Sequence, residues 1–316
     1  MATTLQLERD PSRSLAQLAR SHWLKEAEPG LTPGPALKNN QVVDVAIIGG
    51  GYVGLWTALA IKAERPTARV MVLERDVCGG GASGRNGGFA MSWWPKISTL
   101  VGIAGQDAAL AWAMASEKAI AESALLCPTS HRRPLYPGRL ALTATTQAQQ
   151  DAWLCSRLGK KPFQQLAPHE VARRAGSAMH LGGVLEASNA TVQPALLVRG
   201  MRRVALQQGI EVFENTAVES LFTGSPALLT TAQAQVQASA VVIATNAWAM
   251  AVPELARLIT PVNSAIVVTE PLPARLRSIG WTGGESITDS QLMVGYYRTT
   301  RDGRIAYGKG TGVIQR

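Results

Sequence analysis

The sequence has few cysteines, few aromatic residues and few charges, and these shortages exclude several classes of protein. Its 316 residues contain three cysteines, Cys78, Cys127 and Cys155, at wide spacings. An odd number without a C-x-x-C pair predicts neither a disulfide scaffold nor a zinc site, and we predict no metal site. Free cysteines of this kind are typical of a reducing compartment, so we expect a cytoplasmic location.

Long apolar segments are also scarce. The stretch from Val45 to Ile61 has 17 residues without a charge, but four of them are glycines within six positions. A transmembrane helix needs about 20 predominantly apolar residues. The first residues, Met1 to Arg20, contain no apolar core of a signal peptide. We therefore predict no membrane span.

The formal net charge is +9, which raises the possibility of a nucleic-acid partner. The basic residues occur only in short pairs, such as Arg132-Arg133 and Lys160-Lys161, and aromatic residues make up 5% of the chain. Single-stranded nucleic acids are bound by basic grooves that carry stacking aromatics. This composition favours a basic surface without a nucleic-acid partner.

The main motif is a strand, a glycine-rich turn, a helix and a second strand within residues 42–74. Gly49, Gly51 and Gly54 follow a β-branched, apolar run in G-x-G-x-x-G order. The second strand ends at Glu74, which lies 20 residues after Gly54 (74 − 54). This combination is the fingerprint of a dinucleotide-binding βαβ unit.

Each part of the fingerprint has a physical role. The first glycine permits the tight turn, the second lets a pyrophosphate approach the backbone, and the third lets helix and strand pack closely. The predicted helix, Leu55 to Glu64, directs its positive N-terminus at the phosphates. Glu74 accepts hydrogen bonds from a ribose diol and repels a 2′-phosphate, so NAD or FAD is favoured over NADP. We count Tyr52, Val53 and Arg75, which neighbour these residues, as further binding positions.

A second glycine-rich segment follows, with six glycines among residues 78–89. A flexible surface loop is one interpretation. The other is a backbone that packs against a large, flat ligand. An NAD-dependent dehydrogenase leaves this segment without a role, so it favours FAD over NAD.

The segment Gly81-Ala82-Ser83-Gly84-Arg85-Asn86-Gly87-Gly88 resembles the FAD-dependent oxidoreductases of the D-amino-acid oxidase type, and within them the γ-glutamylputrescine branch. The resemblance implies that the loop runs beside the pyrophosphate and the flavin. It places a phosphate or ribityl contact at Ser83, with Arg85 and Asn86 near the flavin. The remaining cofactor positions that we take from this segment are Ala82, Gly87 and Gly88.

Two later segments carry the same resemblance. Ala244, Thr245 and Asn246 follow an apolar strand and resemble positions that close against FAD. Val218 matches a residue whose backbone reaches the adenine in the family, although the sequence alone favours an ordinary edge strand. His22 is better explained as a structural histidine than as a catalytic one.

The resemblance implies an α/β fold with a Rossmann-like FAD-binding domain on a parallel sheet and a substrate domain on a mixed or antiparallel sheet. We expect an N-terminal extension and linker at 1–39, the FAD-binding domain at 40–130 and 190–262, and the substrate or cap domain at 131–189 and 263–316. The chain matches about the first three-quarters of a usual member. It therefore looks truncated, with the C-terminal part of the substrate domain missing.

The resemblance also implies a reaction, the oxidation of a C–N bond in a small amine or amino acid by hydride transfer to flavin N5. γ-Glutamylputrescine-like, glycine-like and sarcosine-like substrates are all consistent with it, and the electron acceptor is oxygen or an unknown compound. The amine must be neutral, so a water-poor pocket that lowers its pKa is expected. No catalytic residue is identifiable; a tyrosine or Arg298 within the alternating segment Leu292 to Thr299 is a candidate polar anchor, and ordinary sheet packing is the alternative.

Two other functions remain open at this point. One is a truncated, non-catalytic remnant with weak or no FAD binding. The other is an oxidase module that acts on modified tRNA, which only the net charge suggests.

Overall fold

The computed structural model describes residues 3–7, 20–27, 32–125, 135–136, 141–143, 146–289 and 294–314. The chain divides into two compact units. The first comprises 1–86, 194–261 and 315–316, and the second comprises 87–193 and 262–314. Cys127, Leu292 and Met293 lie outside the described residues.

The described helices, in chain order, are α1 (His22–Ala27), α2 (Tyr52–Glu64), α3 (Ile97–Ala104), α4 (Gln106–Leu125), α5 (Thr146–Arg157), α6 (Pro168–Ala175), α7 (Pro194–Gln207), α8 (Pro253–Ala256) and α9 (Pro273–Ser278). Short 3-10 helices span Ala82–Gly84, Trp94–Lys96 and Asn246–Ala251. In the described part of the chain, no helix is long and apolar enough to cross a bilayer.

The strands are β1 (Thr4–Gln6), β2 (Gln41–Ile48), β3 (Val70–Leu73), β4 (Phe89–Ala90), β5 (Leu135–Tyr136), β6 (Ala141–Thr143), β7 (Phe163–Leu166), β8 (Gly183–Glu186), β9 (Ala190–Val192), β10 (Glu211–Phe213), β11 (Val218–Phe222), β12 (Ala227–Thr231), β13 (Gln235–Ile243), β14 (Val262–Val268), β15 (Ser286–Thr288), β16 (Gly295–Thr299) and β17 (Ile305–Ile314).

The sheet of the first unit has the strand order β1-β11-β12-β13-β2-β3-β10. The strands β13, β2, β3 and β10 are parallel, as the Rossmann-like prediction requires. The strands β12, β11 and β1 extend this sheet in antiparallel fashion from β13. The α/β prediction is thus confirmed, but the sheet is mixed, because an antiparallel meander that we did not predict continues beyond its parallel part.

The fingerprint forms the centre of this sheet. All four residues of β3 are buried, as expected for a strand covered on both faces. Helix α2 buries Leu55, Ala58 and Leu59 in a cluster that also contains Val198 and Met201 of α7. It begins three residues earlier than the predicted start at Leu55, because the helix starts within the glycine motif.

A buried carboxylate fixes the chain that precedes β2. The side chain of Glu214 is fully buried, and it forms an ion pair with Arg199. Its carboxylate also accepts hydrogen bonds from the backbone N–H of Cys78, at 2.7 Å, and from that of Gly34. Arg202 Nε lies 3.3 Å from the same carboxylate. The carboxylate of Glu214 therefore connects the backbone at residue 34 to the core of the first unit.

The second unit contains a seven-stranded sheet with the order β14-β17-β16-β15-β6-β8-β7. Its pairs are antiparallel except β15 with β6, so the predicted mixed or antiparallel sheet is confirmed. A separate three-stranded antiparallel sheet has the order β4-β9-β5.

Candidate functional site

A cleft lies in the first unit at the carboxyl ends of β2, β3 and β13. Ile48 and Leu73 are the last residues of β2 and β3, and Gly49 and Glu74 follow them. Ala244 lies just past β13, and all five residues line the cleft. Ligands of open α/β sheets bind at this end of the strands. The position of the cleft therefore agrees with the nucleotide site that the sequence predicts.

Gly49 turns the chain from β2 towards α2. Its φ is +112°, in a region that side chains other than glycine rarely adopt, and a Cβ atom there would lie 2.6 Å from the carbonyl oxygen of Ala244. A Cβ atom on Gly54 would lie 1.9 Å from the carbonyl oxygen of Gly49. Both positions therefore need glycine to keep β2, β13 and α2 this close together.

Gly51 and Ser83 meet at the N-terminus of α2. Gly51 is the residue before the helix, and a Cβ atom on it would lie 2.8 Å from Ser83 Oγ. Ser83 Oγ accepts a hydrogen bond of 2.9 Å from the backbone N–H of Tyr52, the first helical residue. Because Gly51 lacks a side chain, the positive end of the helix stays open to an anionic group.

Glu74 accepts hydrogen bonds from the two segments that follow β2 and β3. One carboxylate oxygen accepts the N–H of Gly50 at 2.7 Å, and the other accepts the N–H of Asp76 at 2.9 Å. Burial raises the pKa of Glu74 above its ordinary value, although these two N–H groups oppose the shift. Each carboxylate oxygen has a further lone pair, so the group can still accept hydrogen bonds from a sugar diol.

The structure brings ten of the predicted cofactor residues to the walls of this cleft. They are Gly49, Gly51, Glu74, Arg75, Ala82, Ser83, Val218, Ala244, Thr245 and Asn246. They come from four separate parts of the chain, and the βαβ fingerprint supplies only some of them. Their convergence at one cleft supports the prediction, although their contact with a cofactor stays a proposal.

Other predicted residues have different surroundings. The Tyr52 hydroxyl donates to the carbonyl oxygen of Pro194 at 3.1 Å, and burial raises the pKa of Tyr52 to about 12. Val53 is 66% exposed, and Gly54 packs beneath the turn at Gly49. The structure gives Val53 and Gly54 no place on the cleft wall.

The polar residues of the second glycine-rich loop hold that loop together. Arg85 Nε donates to the carbonyl oxygen of Gly80 at 2.9 Å. The amide group of Asn86 donates to the carbonyl oxygens of Ala82 and Ser83, at 3.2 and 3.0 Å. Neither side chain lines the cleft, whose wall is formed by the inner residues of the same loop.

The last two glycines of the predicted loop belong to the second unit. A Cβ atom on Gly87 would lie 3.1 Å from the ring of Tyr296. The carbonyl oxygen of Gly88 accepts a hydrogen bond of 3.1 Å from Arg298, which also donates to Val192 O at 2.6 Å. Arg298, a candidate polar anchor, is only 3% exposed and bonds to backbone within its own unit.

Several cleft residues were not predicted: Leu7, Ile48, Leu73, Gly79, Gly81, Thr216, Ala217 and Trp248. Some of them adjoin predicted positions and were detectable as neighbours. Leu7 carries no local signal, since its place depends on the pairing of β1 with β11. His22, for which we favoured a structural role, stacks edge to face on Trp23 with ring centroids 5.2 Å apart.

The residues present fit a dinucleotide cofactor. The helix N-terminus behind Gly51 suits a phosphate group, and the carboxylate of Glu74 suits the diol of a sugar. The cleft also has an apolar wall that includes Ile48, Leu73 and Val218, which suits a flat ring.

Comparison with known proteins agrees with this geometry. The protein family described as "FAD dependent oxidoreductase" matches residues 44–314. The γ-glutamylputrescine oxidoreductase of Escherichia coli K12 is 29% identical over 88% of this chain and 67% of its own length. The glycine oxidase of Geobacillus kaustophilus is 27% identical over 86% of this chain and 75% of its own length. The chain thus spans about two thirds to three quarters of these relatives.

A solved structure shares the fold. The L-amino acid deaminase of Proteus vulgaris, with its specific insertion deleted, superposes with a TM-score of 0.64 at 16% identity. The match covers 89% of this chain and 71% of the deaminase chain. At this identity the similarity concerns the fold alone.

Proposed function

Since the chain belongs to the family of FAD-dependent oxidoreductases, we propose that it oxidises a C–N bond of a small amine or amino acid. The observation that carries the proposal is the convergence of Gly51, Ser83 and Glu74 on one cleft at the end of the parallel strands. A second glycine-rich loop on the wall of that cleft favours FAD over NAD.

We propose that FAD is held by the residues of the cleft. The backbone at Gly51 and the hydroxyl of Ser83 face its phosphates, and the carboxylate of Glu74 accepts from its ribose. Ala244, Thr245 and Asn246 also line the cleft and contact the cofactor in this proposal. Arg85 and Asn86 act indirectly, because they hold the loop that bears Ser83.

When it is bound, FAD supplies the acceptor for the hydride that leaves the substrate. The protein then has to orient the substrate and exclude water, and no strong base is required. A water-poor site favours the neutral amine, which is the form that releases hydride. The acceptor that reoxidises the cofactor, oxygen or another compound, stays a prediction, as does a cytoplasmic location.

The names of the relatives support the substrate class. They name γ-glutamylputrescine and glycine, and both compounds contain carbon–nitrogen bonds. We propose a γ-glutamylputrescine-like, glycine-like or sarcosine-like substrate. The residues that line the cleft give no support to a nucleic-acid substrate, which only the net charge of the chain suggests.

Anaerobic mixing of the FAD-loaded protein with each candidate amine tests this proposal. The flavin band near 450 nm reports reduction, and we expect at least one of these substrates to bleach it. Readmission of air or of an artificial dye then distinguishes oxygen from other acceptors. A loaded protein whose flavin stays oxidised with primary and secondary amines and amino acids would contradict the proposed reaction.

A further inference from the structure

Residues at the beginning of the chain reach the cleft. Strand β1 pairs with β11, Thr4 opposite Phe222, and the N–H of Leu7 donates to the carbonyl oxygen of Glu219 at 2.9 Å. Leu7 lines the cleft. The residue that follows β1 therefore supplies an apolar part of the cleft wall, although it is distant in sequence from the other cleft residues.

Residues 20–27 contact the second glycine-rich loop from outside the cleft. Ser21 Oγ donates to the carbonyl oxygen of Gly84 at 2.7 Å, and Trp23 Nε1 donates to that of Asn86 at 2.9 Å. Trp23 is only 2% exposed. These two bonds fix the end of the loop at two carbonyl groups.

The start of the loop is fixed as well. Arg20 forms an ion pair of 2.5 Å with Asp76, whose N–H bonds to the carboxylate of Glu74. Ser83 thus lies on a segment that residues 20–27 hold at both ends. Because Ser83 meets the N-terminus of α2, displacement of this segment changes the geometry of the phosphate site.

We propose that Leu7, which follows β1, and residues 20–27 are a working part of the cofactor site. Leu7 is a contact residue of the cleft, and Ser21 and Trp23 are positioning residues that act through the loop. The inference rests on the proposed binding of FAD. It assigns a cofactor-binding role to residues within the predicted N-terminal extension and linker.

Leu7 is tested against a matched control, Leu5, which lies in the adjoining strand β1. Leu5 and Leu7 both pack against the same hydrophobic core, but only Leu7 lines the cleft. Leu7→Ala is expected to weaken FAD binding about tenfold, as the loss of an apolar contact of this size implies. Leu5→Ala is expected to leave the dissociation constant of FAD unchanged, with a similar loss of thermal stability.

Trp23 is tested against Trp94, which is also 2% exposed and donates from Nε1 to Glu117 at 3.0 Å. Trp23→Phe removes one hydrogen bond to the loop, so we expect about fivefold weaker FAD binding. We also expect a changed circular dichroism band of the bound flavin at saturation. Trp94→Phe removes an equivalent bond elsewhere and should alter neither quantity.

Ser21 adds a rescue experiment. Ser21→Ala is expected to weaken FAD binding, and Ser21→Thr, which retains the hydroxyl group, to restore it. Far-ultraviolet circular dichroism checks that each variant is folded. Wild-type protein that takes up no FAD would overturn the proposed function together with this inference. Normal uptake by the wild type, combined with unchanged affinity in Leu7→Ala and Trp23→Phe, would overturn this inference alone.

Discussion

The guanidinium carbon of Arg75 lies 4.7 Å from the centroid of the Trp248 ring. Arg75 directly follows Glu74, and Trp248 belongs to the 3-10 helix after β13; both residues line the cleft. The cation–π contact therefore connects two of the segments that line the cleft. At a partly exposed position such a contact contributes about 0.5–1 kcal/mol.

Disruption of this contact should loosen the cleft. We expect Arg75→Gln and Trp248→Leu each to raise the dissociation constant of FAD about threefold, and the double variant to add little to either. Titration of the four proteins with FAD measures the coupling. Arg157 lies 4.8 Å above Trp153 in α5, and disruption of that control pair should leave FAD binding unchanged. Fully additive effects of the two cleft variants would contradict a coupled pair.

A side chain at Gly51 should obstruct the phosphate site. In Gly51→Ala the new Cβ atom would lie 2.8 Å from Ser83 Oγ, so the serine must move from the helix N-terminus. We expect FAD binding to weaken at least tenfold, which corresponds to about 1.4 kcal/mol. Gly102 in α3 is a suitable control, since no described heavy atom lies within 4 Å of a Cβ atom there. Gly102→Ala should retain FAD binding and stabilise the helix by up to about 1 kcal/mol.

The buried ion pair at Glu214 should matter for folding. Glu214→Gln leaves Arg199 without its counter-charge in a buried position, so we expect unfolding to become easier by about 3 kcal/mol. Urea denaturation of the FAD-free protein measures this loss. Glu211, whose carboxylate lies 2.7 Å from Arg69 at the surface, is the control, and Glu211→Gln should cost less than about 1 kcal/mol. Equal losses in both variants would contradict the structural role of the buried pair.

FAD affinity should depend on the ionisation of Glu74. Burial raises the pKa of Glu74, so the carboxylate becomes protonated at a higher pH than an ordinary glutamate. Protonation removes an acceptor for the sugar, so we expect the affinity for FAD to fall as the pH is lowered through the raised pKa of Glu74. For the FAD-free fold the sign is opposite: the stabilising contribution of protonated Glu74 is complete below its unfolded pKa and is lost as the pH rises through the raised, folded pKa. Glu74→Gln should bind FAD more weakly with a flatter pH profile; an unchanged profile would exclude Glu74 as the titrating group.

The sequence predicts the local part of the site well. The pattern of residues 42–74 specifies a strand, a turn, a helix and a second strand. The geometry of these elements is set by residues that are close together in the sequence. The family inferred from the loop that contains Ser83 is confirmed by the match over residues 44–314. Glycines at positions that tolerate no side chain can be recognised in a sequence, because few other residues fit such positions.

The remaining parts depend on long-range pairing, which leaves no local pattern. Leu7 reaches the cleft only because β1 pairs with β11, which lies more than 200 residues further along the chain. The polar residues Gln235 and Gln237 interrupt the apolar pattern in the first half of β13, so the sequence does not indicate a strand there. This strand pairs with β2 on one side and with β12 on the other. Arg85 illustrates a different difficulty: a cation in a predicted phosphate loop instead donates to the backbone of that loop.

Titration of the FAD-free protein with FAD, followed by flavin absorbance and by competition with ADP, shows whether the N-terminus of α2 binds the cofactor. We expect one FAD per chain, displacement by ADP, and a clear loss of affinity in Gly51→Ala but not in Gly102→Ala. A folded protein that takes up no FAD, or that binds it equally well in both variants, would contradict a cofactor site at the N-terminus of α2.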